Sequence, residues 1–350
     1  MHDRRSPRPA RATTLAVAML ACGLLAGCTT AAGADDGVSI GYFPTVTHAP
    51  ALVADGEGLF DDRLADVGAT ATTQSFRAGP EALQAVLAGS VDIAYLGPNP
   101  AVTAYLQSSG DAVRIIAGST SGGASLVVRP GIDDPTDLRG ARLATPQLGN
   151  TQDIALRHWL TAQGLAATED GGGDVHVLPQ PNSAAVQAFR TGQIDGAWLP
   201  EPFASRLVEA GGRILVDERD LWPGGRFVTT TVVAHPDVLA EHPERVQAVL
   251  EAHLDALALI ADDPAAARDT VAAQITALTG QDMDPATLAS AWETMDFGPD
   301  PLAGALRDAA AHADAVGLLP DKPRDDFARL WDLALLNDAL AARGLPAVAA

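Results

Sequence analysis

Lysine occurs once in this 350-residue chain, at Lys322, and cysteine twice, at Cys22 and Cys28. A lone lysine in a loop-like Asp-Lys-Pro setting all but excludes Schiff-base chemistry. No disulfide is possible once a leader containing Cys22 is removed, and residues 28–350 are long enough to bury a core without one. Positive charge is short as well: 23 Lys and Arg face 44 Asp and Glu, a formal charge of −21. Without residues 1–27, which hold four Arg and one Asp, it becomes −24. Nucleic acid is therefore not an expected partner. The acidity serves solubility and keeps the protein off anionic headgroups. Catalytic signatures are missing too. His48, His158, His176, His235, His242, His253 and His312 are scattered without metal spacing, so no metal is expected. Gly118-Ser119-Thr120-Ser121-Gly122 places Thr where a nucleophile elbow needs Ser, and neither a P-loop nor a dinucleotide fingerprint occurs. With no nucleophile beside a base, and with Asp92 and Asp195 read as structural, the chain is expected to be no enzyme and to need no cofactor.

What is present begins with Arg4, Arg5, Arg8 and Arg11, which precede an apolar run from Leu15 to Leu25 in the layout of a secretory signal. The run is shorter than the roughly 20 residues of a spanning helix, and small and acidic residues follow it. Leu25-Ala26-Gly27-Cys28 matches a lipobox, where cleavage before the cysteine frees a thiol for a diacylglyceryl group. Residues 1–27 are thus expected to be a lipoprotein signal peptide and Cys28 the lipidation site, anchored stably because more than one acyl chain is attached. Residues 28–37, small and polar, read as a tether. The expected location is the extracytoplasmic face of the cell membrane.

From Val38 the chain alternates β-like runs with helical patterns, which argues a mostly parallel sheet covered by helices. The first cycle takes Val38–Tyr42, Ala69–Phe76, Val91–Leu96 and Val113–Ala117 as strands. A second takes Arg142–Ala144, Val175–Leu178, Ile194–Trp198 and Ile214–Val216. "LAGSVDIAYLGP" in one and "RTGQIDGAWLPEP" in the other share a helix, a Gly turn, an Asp-bearing strand and a Pro-rich loop. Two similar α/β domains are expected, with crossing strands near Ser125–Arg129 and Thr229–Ala234 acting as a hinge. Residues 38–126 and 232–350 form one lobe and 127–231 the other. Beyond Ala234 the composition turns Ala-rich and amphipathic, predicting a helical C-terminal section: Pro243–Ala261, Pro264–Leu278, Pro285–Met295, Ala303–Ala315 and Asp325–Ala342.

In open α/β sheets, ligands bind beyond the carboxyl ends of strands, where loops enter helices. Six such loops hold the candidates: Phe43 to His48, Arg77 to Pro80, Gly97 to Pro100, Gly118 to Gly123, Pro146 to Gln152 and Trp198 to Pro202. Thr45, Thr47, Ser119, Thr120, Asn150 and Thr151 are donor candidates, able with helix N-termini to hold an anion without lysine. Read singly, Asn99, Asn150 and Thr151 serve equally as helix caps. Arg77 is the only cation of the first-domain loops, with a surface role as its alternative. Trp198, ending a strand before a Pro-flanked loop, is taken to wall the pocket against an apolar ligand body. Glu201 either meets a ligand amine or sits as a carboxylate at a helix N-terminus.

Four stretches, "IGYFPTVTHAPALVADGEGLF", "AGPEALQAVLAGSVDIAYLGPNPAV", "DPTDLRGARLATPQLGNTQD" and "RTGQIDGAWLPEPFASRL", run in this order over nearly the whole mature chain. In them the chain resembles the nitrate, sulfonate and taurine-binding family of ABC-transporter substrate-binding proteins. The resemblance implies a type II periplasmic-binding fold, with two hinge-linked lobes closing on a small anionic solute, and delivery to a permease and its ATPase. It implies an oxyanion held at Gly97 to Asn99, at Ser119, Thr120 and Ser121, and at Asn150 and Thr151. Phe43, Thr45, Thr47, His48 and Arg77 stand beside these turns, with Trp198 and Glu201 facing them from the second lobe. An aliphatic sulfonate or taurine is the expected ligand, and the protein is expected to be monomeric. A thiamine-precursor pyrimidine or nitrate is the alternative ligand. A pyrimidine synthase of the same fold relies on lysine and cysteine chemistry, which this chain lacks, and an adhesion or structural lipoprotein would have no use for six polar loops at strand ends.

Overall fold

The computed structural model describes residues 37–321 and 327–350, so Cys28 and Lys322 lie outside the described residues. The strands are β1 (Gly37–Tyr42), β2 (Thr70–Ser75), β3 (Ile93–Leu96), β4 (Arg114–Gly122), β5 (Ala124–Val128), β6 (Arg142–Thr145), β7 (His176–Pro179), β8 (Gly196–Pro200), β9 (Arg213–Asp217), β10 (Val228–Ala234) and β11 (Met295–Phe297). They form two sheets, ordered β11-β4-β10-β3-β1-β2 and β7-β6-β8-β5-β9. In each, three strands run parallel, β2-β1-β3 and β7-β6-β8, and the strand beside them, β10 or β5, is antiparallel.

The repeat seen in the sequence is repeated in the hydrogen bonding. Asp92 accepts from the backbone N–H of Ser39 at 2.7 Å and from its hydroxyl at 2.6 Å, tying β3 to the start of β1. In the second sheet Asp195 accepts from the Arg142 backbone at 2.9 Å, tying β8 to the start of β6. Both pairs are 53 residues apart. Both aspartates thus have the structural role expected of them, and each sets the register of the strands whose far ends carry the candidate loops.

Strand alternation divides the core. Val38, Ile40 and Tyr42 of β1 and Ile93 and Tyr95 of β3 face the C-terminal helix Pro243–Asp262, while Ala94 and Leu96 face the opposite layer with Tyr105 and Leu306. In the second sheet Leu126 and Trp198 face one layer, Val127, Ala197 and Leu199 the other. Each fully buried large apolar side chain contributes about 1.5–3 kcal/mol. His253 pins the C-terminal helix to the first sheet: its Nε2 donates to Gly118 O at 2.9 Å and its Nδ1 accepts from Tyr95 at 3.0 Å. Burial pushes its pKa down to about 4, so it stays neutral.

Three expectations are corrected. The fourth strand does not stop at Ala117; β10 on one side and β11 on the other extend its pairing to Gly122, so Gly118 to Ser121 lie in a sheet rather than a loop. The helix expected to reach Met295 ends at Trp292, and Met295 opens the edge strand β11. Of the final helix expected over Asp325–Ala342, Asp325 lies outside the described residues, residues 327–333 are non-helical with a bridge between Trp331 and Ile115, and the helix starts at Ala334. The chain leaves the first sheet through Gly122 and Gly123, both at positive φ (82° and 74°). A side chain there would be strained, and a Cβ at Gly122 would stand 2.3 Å from Thr294 O, so the crossing requires glycine.

Candidate ligand-binding site

A cavity of about 30 Å³ opens between the two sheets, lined by Phe43, Thr45, Thr47, His48, Arg77, Ala78, Gly79, Gly97, Pro146, Asn150, Thr151, Gln152, Asn182, Pro200 and Thr229. Four α-helices begin at its wall: Gly79–Leu87, Pro98–Gln107, Thr151–Ala162 and Asn182–Arg190. Each N-terminus brings partial positive charge and N–H groups without a helical acceptor.

The Asn150 side chain caps its helix by accepting from Gln152 N at 3.1 Å, so this residue both caps and lines the cavity. Next to it the Thr151 hydroxyl is buried with no hydrogen-bond partner among the described residues. A buried polar group without a partner costs about 1–3 kcal/mol, which a ligand oxygen here would recover. Thr45 and Thr47 bond each other through their hydroxyls at 3.0 Å. His48 accepts the Phe43 N–H at Nδ1 (3.3 Å), which leaves the proton on Nε2. Burial pushes its pKa down to about 3, so His48 is a neutral donor at physiological pH. Arg77 is exposed at the rim.

The loop from Thr145 to Asn150 is held from below. Asp153, fully buried, accepts from the Thr145 hydroxyl (2.8 Å), Gly149 N (3.0 Å) and Arg157 Nε (3.1 Å), and Arg157 donates on to Thr168 O at 2.7 Å. This buried ion pair places the Thr151 helix start.

Several expected contacts are not made here. Trp198 is fully buried on the opposite face of β8 from Ala197 and Leu199. It donates to Glu218 at 2.7 Å and stands edge-on to Trp159 at 6.1 Å. It is a core residue because β8 runs on to Pro200, so the side chain obeys sheet alternation instead of loop geometry. Glu201 turns its carboxylate to Ser205 N at 3.0 Å, within the first turn of the helix Phe203–Glu209. Its pKa is raised, chiefly by burial. Asn99 donates to Ala309 O at 2.9 Å and packs one helix on another. Ser119 lies inside β4, and Thr120 and Ser121 border a separate space beside Arg226 and Asp296. Conversely, Pro146, Gln152 and Pro200 line the cavity from loops already singled out, and Asn182 and Thr229 line it from outside the six loops. Asn182 follows the loop after β7, and the strand-end rule applied to that strand finds it.

Beside the cavity the helix Thr151–Ala162 meets the helix Ala303–Ala315 through His158 and His312, whose rings stack at 3.7 Å and 12°. Trp222 stands 5.2 Å from His312, and Glu218 borders the same small space. Burial lowers the pKa of both imidazoles below 6.5; His158 lowers that of His312 further, and Asp308 opposes it. The unfolded chain therefore takes up protons first as pH falls, so this contact stabilises fully above about pH 6.5 and weakens below it. Glu218, pushed up to about 7, acts in the opposite direction in any variant that retains it. Melting temperatures from pH 7.5 to 5 should fall more in the wild type than in His312→Gln, by about 2 °C. Parallel curves would remove the pair from the pH response.

Two α/β lobes with a cavity at strand ends and helix N-termini between them define the type II periplasmic-binding-protein class. The chain belongs to the NMT1-like family, whose model matches residues 31–276, in line with the resemblance read from the loops. It is similar to the taurine-binding periplasmic protein of Escherichia coli (strain K12), 30% identical over 210 residues, 59% of this chain and 62% of that protein. The chain spans about three fifths of the length of the first curated relatives it matches. The alkanesulfonate-binding protein SsuA from Xanthomonas axonopodis pv. citri, bound to MOPS, superposes with a TM-score of 0.68 at 22% identity, covering 82% of this chain and 95% of that one. The periplasmic nitrate-binding protein NrtA from Synechocystis gives 0.69 at 15% identity, covering 89% and 90%. These two likenesses show the fold.

Proposed function

We propose that the protein is the solute-binding component of an ABC importer, not an enzyme, and that it takes a small organic anion, an aliphatic sulfonate or taurine, into the cavity between its lobes. The observation that carries this reading is the convergence of four helix N-termini on one cavity that holds the unpartnered Thr151 hydroxyl. Neutral donors supply the site: Thr45, Thr47, His48, Asn150 and Thr151, with the Gly97 turn, Phe43 and Arg77 around them. Such a set suits an oxyanion that stays ionised at every physiological pH. Since β5 belongs to the second sheet and β10 to the first, the lobe bounds expected at 126 and 232 shift: residues 38–123 and 228–350 move as one lobe and 124–227 as the other, turning about the crossings at Gly122–Gly123 and before β10. A permease and an ATPase receive the solute.

Nitrate is a second reading, favoured by the compactness of the cavity. The pyrimidine reading depended on an aromatic wall and Glu201, and Trp198 and Glu201 are both turned elsewhere. Thermal melting of the purified protein with taurine, hexanesulfonate, nitrate, sulfate or an aminopyrimidine separates these readings. A bound ligand at 100 times its Kd adds about 2.7 kcal/mol. A shift with sulfonates alone supports the first reading and a shift with nitrate alone the second. No shift with any anion sinks both.

Lipid attachment at Cys28, outside the described residues, would hold the binding protein beside its permease. Cys28→Ala is expected to bind the same anion and to appear in the soluble fraction; retention in the membrane fraction would overturn the anchor.

A further inference from the structure

The cavity has room for a compact oxyanion head and little else, but it opens outward. A second space of about 550 Å³ shares Thr45, Arg77 and Asn182 with it. Its walls mix apolar side chains, Phe76, Phe203, Ile275 and Met283 among them, with polar ones such as Ser75, Glu81, Ser183, Thr279 and Gln281. The half-buried Arg206 has its guanidinium 5.5 Å over the Phe203 ring and only a long 3.9 Å contact to Met283 Sδ, with no ion pair among the described residues. Glu209, three residues further on the same helix, accepts from the Thr287 hydroxyl and makes no ion pair with Arg206 among the described residues. Glu81 also lines this space and accepts from Arg77 N at 3.0 Å. By contrast, Arg219 holds Asp217, and Arg343 holds Glu251 and Asp255. Burial works against the charge of Arg206, lowering its pKa. Glu209 attracts this charge and Arg190 repels it, but no carboxylate stands within ion-pair distance among the described residues. A partly desolvated guanidinium so placed gains from an anion set against it.

We propose that Arg206 is a specificity-determining residue that pairs with a second acidic group at the far end of the ligand. The substrate class is then a sulfonate bearing a distal carboxylate or sulfonate on an apolar spacer. This rests on the anion-binding reading above and narrows it. The head occupies the inner cavity at the helix N-termini. The spacer runs past Arg77 along Phe76 and Phe203, and the distal acid meets Arg206.

Calorimetric titration of the purified protein with a chain-length series of α,ω-alkanedisulfonates and the matched n-alkanesulfonates tests this. At the best chain length the disulfonate should bind the wild type about tenfold tighter or more, the gain of one charge-assisted hydrogen-bonded pair. In Arg206→Gln that preference should disappear while affinity for the alkanesulfonate is unchanged, and Arg206→Lys should keep part of it. If Arg206→Gln does not fold, Arg206→Met, which keeps the length and drops the charge, takes its place. A wild type without preference at any length, or a preference that survives loss of the cation, overturns the assignment. If alkanesulfonates bind and disulfonates gain nothing, this proposal falls alone. If neither series binds, the sulfonate reading falls with it.

Discussion

Gly97→Ala is expected to weaken ligand binding about 100-fold, with little change in melting temperature of the unliganded protein. The residue has ordinary extended backbone angles (φ −67°, ψ 158°), so no strain forbids a side chain. Space does. A Cβ at Gly97 would stand 2.4 Å from the Thr151 hydroxyl and 3.6 Å from Thr229 O, where the two lobes approach across the cavity. Either the Thr151 hydroxyl rotates out of the cavity or the lobes stay apart, and both outcomes remove hydrogen bonds to a charged ligand. One to two such bonds at about 1.5–3 kcal/mol each account for the loss. Calorimetric titration with the tightest-binding anion measures it, and a double-mutant cycle identifies the cause. Thr151→Ala removes the clashing atom, so adding Gly97→Ala to it should cost little more. Equal affinity of Gly97→Ala and wild type would show that the cavity is not where the anion sits.

Asp153→Ala should destabilise the fold by about 3–5 kcal/mol, because it strands the Arg157 guanidinium in the core. Thr145 and Gly149 lose their acceptor as well, which loosens the loop that presents Asn150 and Thr151. Denaturant unfolding measures the stability and the same titration the affinity. Pairing it with Arg157→Met should restore much of the stability, since apolar replacement of a whole buried ion pair is often neutral or better. The affinity should not recover, since the Gly149 N–H stays unpartnered. A double variant with full stability and full affinity would mean that the ion pair does not position the site.

The repeated βα units, the two sheets they form and the strand ends that hold the site were legible because they depend on local features: alternating apolar residues, Pro at helix starts, and the matched "SVDIAYL" and "QIDGAWL" strands. Thr45, Thr47, His48, Arg77, Gly97, Asn150 and Thr151 were found by the same rule and do line one cavity. Trp198 does not wall the cavity, and of the two readings of Glu201 the helix N-terminal one holds; a strand's end decides which way a side chain points, and β8 ends at Pro200 through pairing with β5, a partner some 70 residues away that periodicity does not reveal. The extension of β4 through Ser119, Thr120 and Ser121 likewise depends on β10 and β11, both more than 100 residues further along the chain.

What the sequence determined by itself is the set of elements and the scarcity of lysine and cysteine, one and two residues respectively, because composition and short-range pattern are properties of the chain alone. Only the tertiary structure decided that four helix N-termini share one cavity, that Asp153 and Arg157 hold its loop, and that Arg206 borders the space outside it with no ion pair among the described residues. Those facts depend on contacts between distant segments, where burial and the loss of water set which polar groups find partners and which are left for a ligand.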